Sequence, residues 1–254
     1  MTTALITGGT SGIGKAFGVS FARSGHRLVL VARDRERLDA VAAELKGLGA
    51  PEAETLPADL ATAEGRSAVE QRLADADRPV DILVNNAGFG LGLPFVKSAI
   101  EDEERLLDVH VRATMRLTHA ALPGMVARGR GAVVNVASVS AFVPRGTYSA
   151  VKAWQVSFTE SLAVDLRGTG VRAMALCPGF THTEFHQRGN LETDSIPGWM
   201  WLDADYVVEK GLRDLRRGLP VSIPGAQYKV LTGASRYVPR SVRTRLSRGV
   251  SKRW

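Results

Sequence analysis

The stretch "TGGTSGIG" at Thr7–Gly14 joins an apolar run, "TALIT" (3–7), to a helix-length segment. Glycines at Gly8, Gly12 and Gly14 permit a tight turn, a close approach of the backbone to a bound group, and close packing of helix on strand. The first N–H groups of the helix would then face an anion such as a phosphate. An ordinary glycine-rich turn can have the same pattern. The position of this stretch at the first strand–helix junction is what favours a nucleotide site.

Short apolar runs recur along the chain and alternate with helix-length segments. Most of the runs lack polar alternation, which is typical of strands buried on both faces. Strands are predicted at 3–7, 27–32, 53–58, 81–86, 131–138, 171–177 and 220–224, and helices at 12–24, 34–48, 62–76, 100–127, 147–168 and 204–217. This order predicts an α/β fold: a single doubly wound, Rossmann-like domain with a seven-stranded, mostly parallel sheet and helices on both faces.

Composition excludes several classes of protein. The chain has 254 residues, of which 44% are hydrophobic, and one cysteine, Cys177, so neither an internal disulfide nor a C-x-x-C site can form. No stretch approaches the roughly 20 apolar residues that span a bilayer, and the N-terminus does not resemble a signal peptide, so we expect a cytoplasmic protein. We predict one domain over 1–235, with a substrate lid at about 180–203, and a tail at 236–254.

The net charge of +7 is concentrated in the tail. Residues 215–254 hold ten Lys or Arg and no acidic residue, so the first 214 residues carry 23 basic and 26 acidic side chains, a net −3. An acidic body argues against nucleic-acid binding, which only the tail would support. Apolar residues recur every fourth position from Val238 to Trp254, which predicts a basic amphipathic helix. Such a helix could contact an anionic membrane surface or an acidic carrier protein, or dock on its own domain.

Further motifs follow the predicted strands in order. "NNAG" (Asn85–Gly88) follows the fourth strand, Ser138 the fifth and "PGFTHT" (Pro178–Thr183) the sixth, while "YSAVK" (Tyr148–Lys152) opens a helix. Together with the glycine-rich stretch, these motifs make residues 1 to about 185 resemble the short-chain dehydrogenase/reductase family. The resemblance implies hydride transfer between a nicotinamide cofactor and a carbonyl or alcohol carbon of a small molecule.

The resemblance also implies a cofactor site. The matching positions are Gly8, Thr10, Ser11, Gly12, Ile13, Gly14, Asp59, Leu60, Asn86, Ala87, Gly88, Tyr148, Lys152, Pro178, Gly179 and Thr183. Where an NAD site carries a carboxylate, the second strand ends with Ala32 and Arg33, and a guanidinium suits a 2′-phosphate. We therefore predict NADP(H); alternatively, Arg33 is a solvated residue at a helix start. Asp59, matched to the adenine contact, could instead cap the helix near Thr62.

Tyr148 and Lys152 lie four residues apart in a predicted helix and so share a face. An ammonium nearby favours the phenolate and would lower the tyrosine pKa toward the working range. The resemblance implies that Tyr148 passes the proton, Ser138 hydrogen-bonds the reacting oxygen, and Lys152 holds the nicotinamide ribose. Ser138 and Tyr148 are ten residues apart, where the family usually has about thirteen, and Ser140 is a rival for the serine role.

His110 stands where the family usually has an asparagine that supports a water linking the lysine to solvent. A neutral imidazole both accepts and donates. We hypothesise that His110 is catalytic, keeps this relay and adds a titration near neutral pH. The alternative is a structural histidine, with the relay lost or rerouted.

The predicted lid contains Trp199, Met200 and Trp201, which favours an apolar or acyl-bearing substrate; alternatively they pack against the body or a neighbouring subunit. "THTEFH" (181–186) could suggest a metal, but it falls on the segment over the cofactor, and we predict no metal site. The function favoured is an NADPH-dependent reductase of an apolar ketone or 3-oxoacyl compound. The alternatives are an alcohol or hydroxysteroid dehydrogenase working oxidatively, and a non-catalytic NADP(H) sensor. By analogy with the family, we expect a homodimer or homotetramer.

Overall fold

The seven predicted strands form one parallel sheet. The computed structural model describes residues 2–144, 146–185 and 196–237. The strands are β1 Thr3–Thr7, β2 Arg27–Ala32, β3 Ala53–Pro57, β4 Ile82–Asn85, β5 Gly131–Val136, β6 Val171–Leu176 and β7 Val221–Ser222. Their order is β3-β2-β1-β4-β5-β6-β7. Successive strands are added toward one edge from β1 to β3 and toward the other edge from β4 onward, so the order switches between β1 and β4. In sheets of this kind, a ligand binds at the carboxyl ends of the strands at such a switch point.

Helices cover both faces of the sheet, as predicted. They are α1 Gly12–Arg23, α2 Arg35–Gly47, α3 Ala63–Ala74, α4 Ile100–Leu107, α5 Thr114–Ala127, α6 Gly146–Asp165, α7 Ala204–Arg216 and α8 Ala226–Tyr237. The predicted single helix at 100–127 is interrupted, because a π-helical turn at Asp108–Ala113 separates α4 from α5. Helix α8 was not predicted from the sequence.

The core lies in two layers, one on each side of the sheet. On β1, Ala4 and Ile6 face the layer formed with α1, α2 and α7, whereas Leu5 faces the layer formed with α3 and α5. All five β1 residues are buried, which explains the continuous apolar run in the sequence. The predicted α/β, doubly wound fold is therefore confirmed.

Several strands end earlier than predicted. β5 ends at Val136 and β6 at Leu176, and the residues that follow leave the sheet to form loops at its carboxyl edge. β7 spans only two residues of the predicted 220–224. No helix in the described part of the chain is long and apolar enough to cross a bilayer. The predicted division at 235/236 falls within α8, and the tail from 238 onward lies outside the described residues.

Candidate active site

The glycine-rich turn closes against the end of β4. Gly8 has φ +65°, and a Cβ there would lie 2.9 Å from the Asn86 side-chain nitrogen. A Cβ on Gly14 would lie 2.2 Å from the Gly8 carbonyl oxygen. The Asn86 amide donates to the carbonyl oxygens of Thr7 at 2.9 Å and Gly8 at 3.2 Å. Neither glycine can therefore carry a side chain while this turn keeps its shape.

The start of α1 is open to an anion. Ser11 occupies the N-cap position, and its side chain makes no capping hydrogen bond. The neighbouring Thr10 and Ile13 belong to the same turn, and Gly12 has φ +52°. A Cβ on Gly12 would lie 2.9 Å from the Thr183 methyl carbon, so the loop after β6 reaches this turn. The bare backbone and the N–H groups of the helix start fit a pyrophosphate.

Arg33 and Arg37 lie beside this turn. Asp34 caps α2 by accepting from the Arg37 N–H at 3.0 Å, so Arg33 precedes the cap and lies outside the helix. The Arg37 guanidinium donates to the Thr10 carbonyl at 3.3 Å and forms an ion pair with Glu184. The exposed Arg33 is thus at the tip of β2, where sequence analysis placed the 2′-phosphate contact.

Asp59 is held by two donors. One carboxylate oxygen accepts from the Ala61 N–H at 3.0 Å and the other from the Arg105 guanidinium at 2.7 Å. Burial disfavours its charge, but these two donors outweigh burial and lower the pKa of Asp59 below its usual value. Thr62, rather than Asp59, caps α3 by accepting from the Gly65 N–H. The capping alternative for Asp59 is therefore wrong, whereas its predicted adenine contact stays a prediction. Leu60 beside it is buried.

Three predicted catalytic side chains meet at the carboxyl edge of β5. Ser138 follows β5, and Tyr148 and Lys152 lie in the first two turns of α6. The Ser138 side chain lies close enough to Tyr148 to act on its pKa. The Lys152 ammonium lies 5.6 Å from the centre of the Tyr148 ring. The geometry therefore pairs a proton donor with a second hydroxyl and places a cation beneath them.

Lys152 is almost completely buried, with 4% of its surface exposed. Its ammonium donates to the Val136 carbonyl at 2.6 Å and to the Gln155 side-chain oxygen at 2.9 Å. Burial lowers the pKa of Lys152 to about 7. Burial raises the pKa of Tyr148, although the nearby Ser138 side chain opposes this. The expected lowering of the tyrosine pKa is thus not seen, because burial is the largest influence on the phenol and raises its pKa.

The short loop between Ser138 and Tyr148 is folded. It forms a 3₁₀ turn at Val139–Phe142, and the Ser140 N–H donates to the Ser138 hydroxyl at 3.1 Å. Ser138 is therefore oriented by its own loop and faces Tyr148. Ser140 contributes to this turn through its backbone N–H, which binds the Ser138 hydroxyl.

His110 lies in the π-helical turn and is completely buried. Its Nε2 atom lies 2.8 Å from the Phe89 carbonyl oxygen and 3.1 Å from the Phe89 nitrogen, and its ring meets the Tyr148 ring edge-on at 5.7 Å. Burial, reinforced by Lys152, lowers the pKa of His110 well below 6.5. This lowering argues against the expected titration near neutral pH. Gly88 leaves room for the ring, since a Cβ there would lie 2.3 Å from His110 Cε1.

Aromatic rings pack around Tyr148. The Phe185 ring lies 5.7 Å from that of Tyr148, on the segment that follows β6. In the predicted lid, Trp201 stacks on His182 at 4.7 Å and packs on Phe180, whereas Trp199 is 65% exposed. Trp201 therefore packs against its own domain, whereas a contact of Trp199 with substrate or with a neighbouring subunit stays a prediction.

The remaining residues of "THTEFH" have other contacts. Glu184 pairs with Arg37, and His182 stacks on Trp201. His186 lies outside the described residues. Within the described part of the chain, no group of three or more His, Cys, Asp or Glu side chains could hold a metal ion.

Two supporting residues were missed in the sequence. Tyr228 of α8 packs where a Cβ on Gly179 would overlap its ring, next to Pro178. Its hydroxyl accepts from the Phe180 N–H at 2.9 Å and donates to the Met200 carbonyl at 2.6 Å. Gln155, in contact with Lys152, is the other. Neither belongs to a recognisable motif, so only the fold brings them to the site.

Comparison with known proteins gives the class. Residues 2–194 match the protein family described as short chain dehydrogenase. An NADP-dependent 3-hydroxy acid dehydrogenase (YdfG) of Salmonella typhi is 37% identical over 189 residues, 71% of this chain and 73% of its own. A serine 3-dehydrogenase of Agrobacterium fabrum is 37% identical over 187 residues, 72% of this chain and 73% of its own. The protein belongs to the short-chain dehydrogenase family.

Two solved structures extend the likeness beyond the motifs. A short-chain dehydrogenase from Sphingobium yanoikuyae in complex with NADPH has a TM-score of 0.85 and 37% identity, covering 93% of this chain and 94% of its own. A bulky-bulky ketone specific alcohol dehydrogenase from Comamonas testosteroni has a TM-score of 0.80 and 31% identity, covering 94% and 96%. The likeness therefore includes most of the region after residue 194.

Proposed function

We propose that this protein is an NADPH-dependent reductase of apolar ketones or 3-oxoacyl compounds. It is an oxidoreductase of the NADP-dependent kind that acts on hydroxyl or carbonyl groups. The observation that carries the proposal is the grouping of Tyr148, Ser138 and the buried Lys152 at the same sheet edge as an open glycine-rich turn. That combination sets a proton donor beside a dinucleotide cradle.

The cradle residues would hold the cofactor along this edge. The turn at Gly8–Gly14 would take the pyrophosphate, Asp59 and the stretch 86–88 the adenosine, and Arg33 the 2′-phosphate. When bound, the nicotinamide supplies the hydride that reduces the carbonyl carbon. Thr183, which reaches the glycine-rich turn, would lie over it.

The side chains of this protein manage the oxygen and its proton. Ser138 orients the substrate oxygen toward Tyr148, which donates the proton from its hydroxyl. The raised pKa of Tyr148 keeps the hydroxyl protonated at neutral pH, as reduction requires. Lys152, charged below a pKa of about 7, stabilises the negative charge that develops on Tyr148.

The rings around Tyr148 favour an apolar substrate. Phe89 and Phe185 flank the site together with His110, whose lowered pKa keeps its ring neutral. A neutral aromatic wall binds an aryl or acyl group more readily than a free carboxylate, which would be desolvated there. We therefore place ketones ahead of small 3-hydroxy acids, although relatives that carry the latter name make those acids the second candidate, in the oxidative direction.

Cofactor turnover tests the proposal. We would supply NADPH and, separately, NADH with aryl ketones, cyclic ketones and 3-oxoacyl thioesters, and run 3-hydroxy acids with NADP⁺. Tyr148→Phe removes the proton donor and should lower kcat by about 10²–10⁴-fold. Tyr206→Phe, at an exposed tyrosine of α7, is the matched control and should leave kcat unchanged.

The outcomes separate the candidates. Turnover of ketones with NADPH that Tyr148→Phe abolishes supports the reductase. Turnover of 3-hydroxy acids alone would move the function to the second candidate. NADPH binding without any turnover would favour the sensor instead.

A further inference from the structure

Gln155 lies one helical turn beyond Lys152 on α6 and is 1% exposed. Its side-chain oxygen accepts from the Lys152 ammonium at 2.9 Å. Its side-chain nitrogen donates to the His110 carbonyl at 3.0 Å and to the Thr114 hydroxyl at 3.2 Å. One amide thus joins the buried lysine directly to the π-helical turn.

The orientation of this amide is fixed by its partners. The His110 carbonyl can only accept and an ammonium can only donate. The amide nitrogen must therefore face His110 and the amide oxygen must face Lys152. In a flipped amide, the NH₂ group would face the Lys152 ammonium and the amide oxygen would face the His110 carbonyl. Each polar group left unmatched in this buried site costs about 1–3 kcal/mol.

The same amide directly links Lys152 to residue 110. A water or an imidazole accepts and donates through one group and can pass a proton along. An amide accepts through oxygen and donates through nitrogen, so it links its neighbours without conducting a proton. The connection from Lys152 to His110 is therefore a fixed hydrogen-bonded link that does not conduct a proton.

We propose that Gln155 is a positioning residue of the active site, which holds the Lys152 ammonium against α6 and supports its charged form. This inference rests on the proposed function, because it assigns how the lysine beneath Tyr148 is held. Gln155 would touch neither substrate nor cofactor and acts through Lys152.

The surroundings of Lys152 make this support matter. The titratable groups that face the ammonium are Tyr148 on its own helix, His110 on the π-helical turn and Cys177 after β6. Burial keeps the thiol of Cys177 protonated, because it raises that pKa to about 12, and keeps His110 neutral. The ammonium therefore depends on neutral acceptors, and Gln155 supplies one of the two that its hydrogen bonds reach.

The experiment measures the protonation of Lys152 itself. Protein labelled with ¹³C at the lysine Cε is titrated by NMR without cofactor, and the Lys152 signal is assigned by its loss in Lys152→Met. Gln155→Met removes the accepting oxygen at nearly constant volume and should lower the Lys152 midpoint by about one pH unit. Gln155→Glu places a carboxylate on the ammonium and should raise it by about 1–3 units.

Controls separate positioning from folding. Gln71→Met and Gln71→Glu make the same exchanges at an exposed glutamine of α3 and should leave the midpoint in place. Shifts in opposite directions for Met and Glu are not produced by loosened packing alone. Should Gln155→Met fail to fold, Gln155→Glu against Gln71→Glu still decides.

Turnover gives the second readout. The charge on Lys152 is present below its pKa and is lost as the pH rises, so the alkaline limb of kcat for ketone reduction should move down in Gln155→Met and up in Gln155→Glu. A Lys152 midpoint that is the same in wild type and in the folded Gln155 variants overturns the inference. The NMR titration needs no turnover. Shifted midpoints in a protein that reduces no carbonyl would therefore refute the proposed function, while the positioning role of Gln155 would still hold.

Discussion

At the scale of single residues, the environment of His110 decides its protonation state. The ring is closed off by Gly88 and Phe89 on one side and by Tyr148 on the other. Among the residues that the structure describes, no carboxylate contacts the ring, and Lys152 disfavours a second cation. A neutral imidazole fits the site as a polar packing group, which separates its role from that of a neutral-pH switch.

Replacing His110 should therefore leave the pH dependence of turnover unchanged near neutrality. In His110→Asn, kcat should keep the same profile between about pH 6 and 8, because no imidazolium is lost there. Thermal stability should fall, since a smaller side chain leaves a cavity against Gly88. His119→Asn, at an exposed histidine of α5, serves as the control. If the variant lost an acidic limb near pH 6–7, His110 would titrate in the working range after all.

Lys152 should make stability depend on pH. Its pKa is about 7 when folded and 10.5 when unfolded, so between these values the unfolded chain binds one more proton. Stability therefore rises with pH across this window, by about 2 kcal/mol between about pH 7 and 9. Lys152→Met should lose this increment in denaturant titrations, whereas Lys46→Met, at an exposed lysine of α2, should keep it. Parallel curves for wild type and Lys152→Met would contradict the burial of the charge.

At the scale of elements, Tyr228 ties three segments together. From α8 it bonds the loop after β6 at Phe180 and the short turn Gly198–Met200. These segments flank residues 186–195 of the predicted lid. The position of the lid edges thus depends on a helix that sequence analysis did not find.

Removing the Tyr228 hydroxyl should loosen these edges. Tyr228→Phe leaves the Phe180 N–H and the Met200 carbonyl without this partner, at a cost of about 1–3 kcal/mol. We expect a higher KM for the ketone with little change in kcat, together with a lower Tm. Tyr206→Phe again provides the control. An unchanged KM and Tm would mean that the lid edges hold without this tie.

The sequence predicts strands well where they are buried on both faces of the sheet, and short or irregular elements poorly. β1 and β2 match their predicted bounds because runs buried on both faces are continuous. β7 has two residues, too few for any periodicity, and α8 lies where no apolar period was recognised. The π-helical turn spans only Asp108–Ala113, which is too short to give a periodicity of its own in the sequence.

The site shows the same contrast between motif and contact. Gly8, Gly14 and Tyr148 belong to ordered motifs whose spacing carries chemistry, so they could be read from the sequence. A lone glutamine in a helix has no such signal, and Gln155 gains its role only when folding brings it between Lys152 and His110. Its prediction would have required the position of α5 relative to α6.

At the scale of the whole molecule, the sheet gathers the cofactor residues on one edge. The turns after β1, β2 and β4 place Gly8, Arg33 and Asn86 side by side, since β1 lies between β2 and β4. Residues that are far apart in the chain would thus bind one ligand. Such a ligand should stabilise the entire domain, because it binds only the folded state.

NADPH should therefore raise Tm by much more than NADH. At a concentration of about 100 Kd, NADPH adds about 2.7 kcal/mol, which corresponds to roughly 5–10 °C for a domain of this size. Arg33→Ala removes the cation at the 2′-phosphate and should weaken NADPH by about 10–100-fold while leaving NADH unchanged. Arg167→Ala, at an exposed arginine after α6, should alter neither shift. Equal shifts for the two cofactors in wild type would mean that no cation binds the 2′-phosphate and would refute the predicted contact with Arg33.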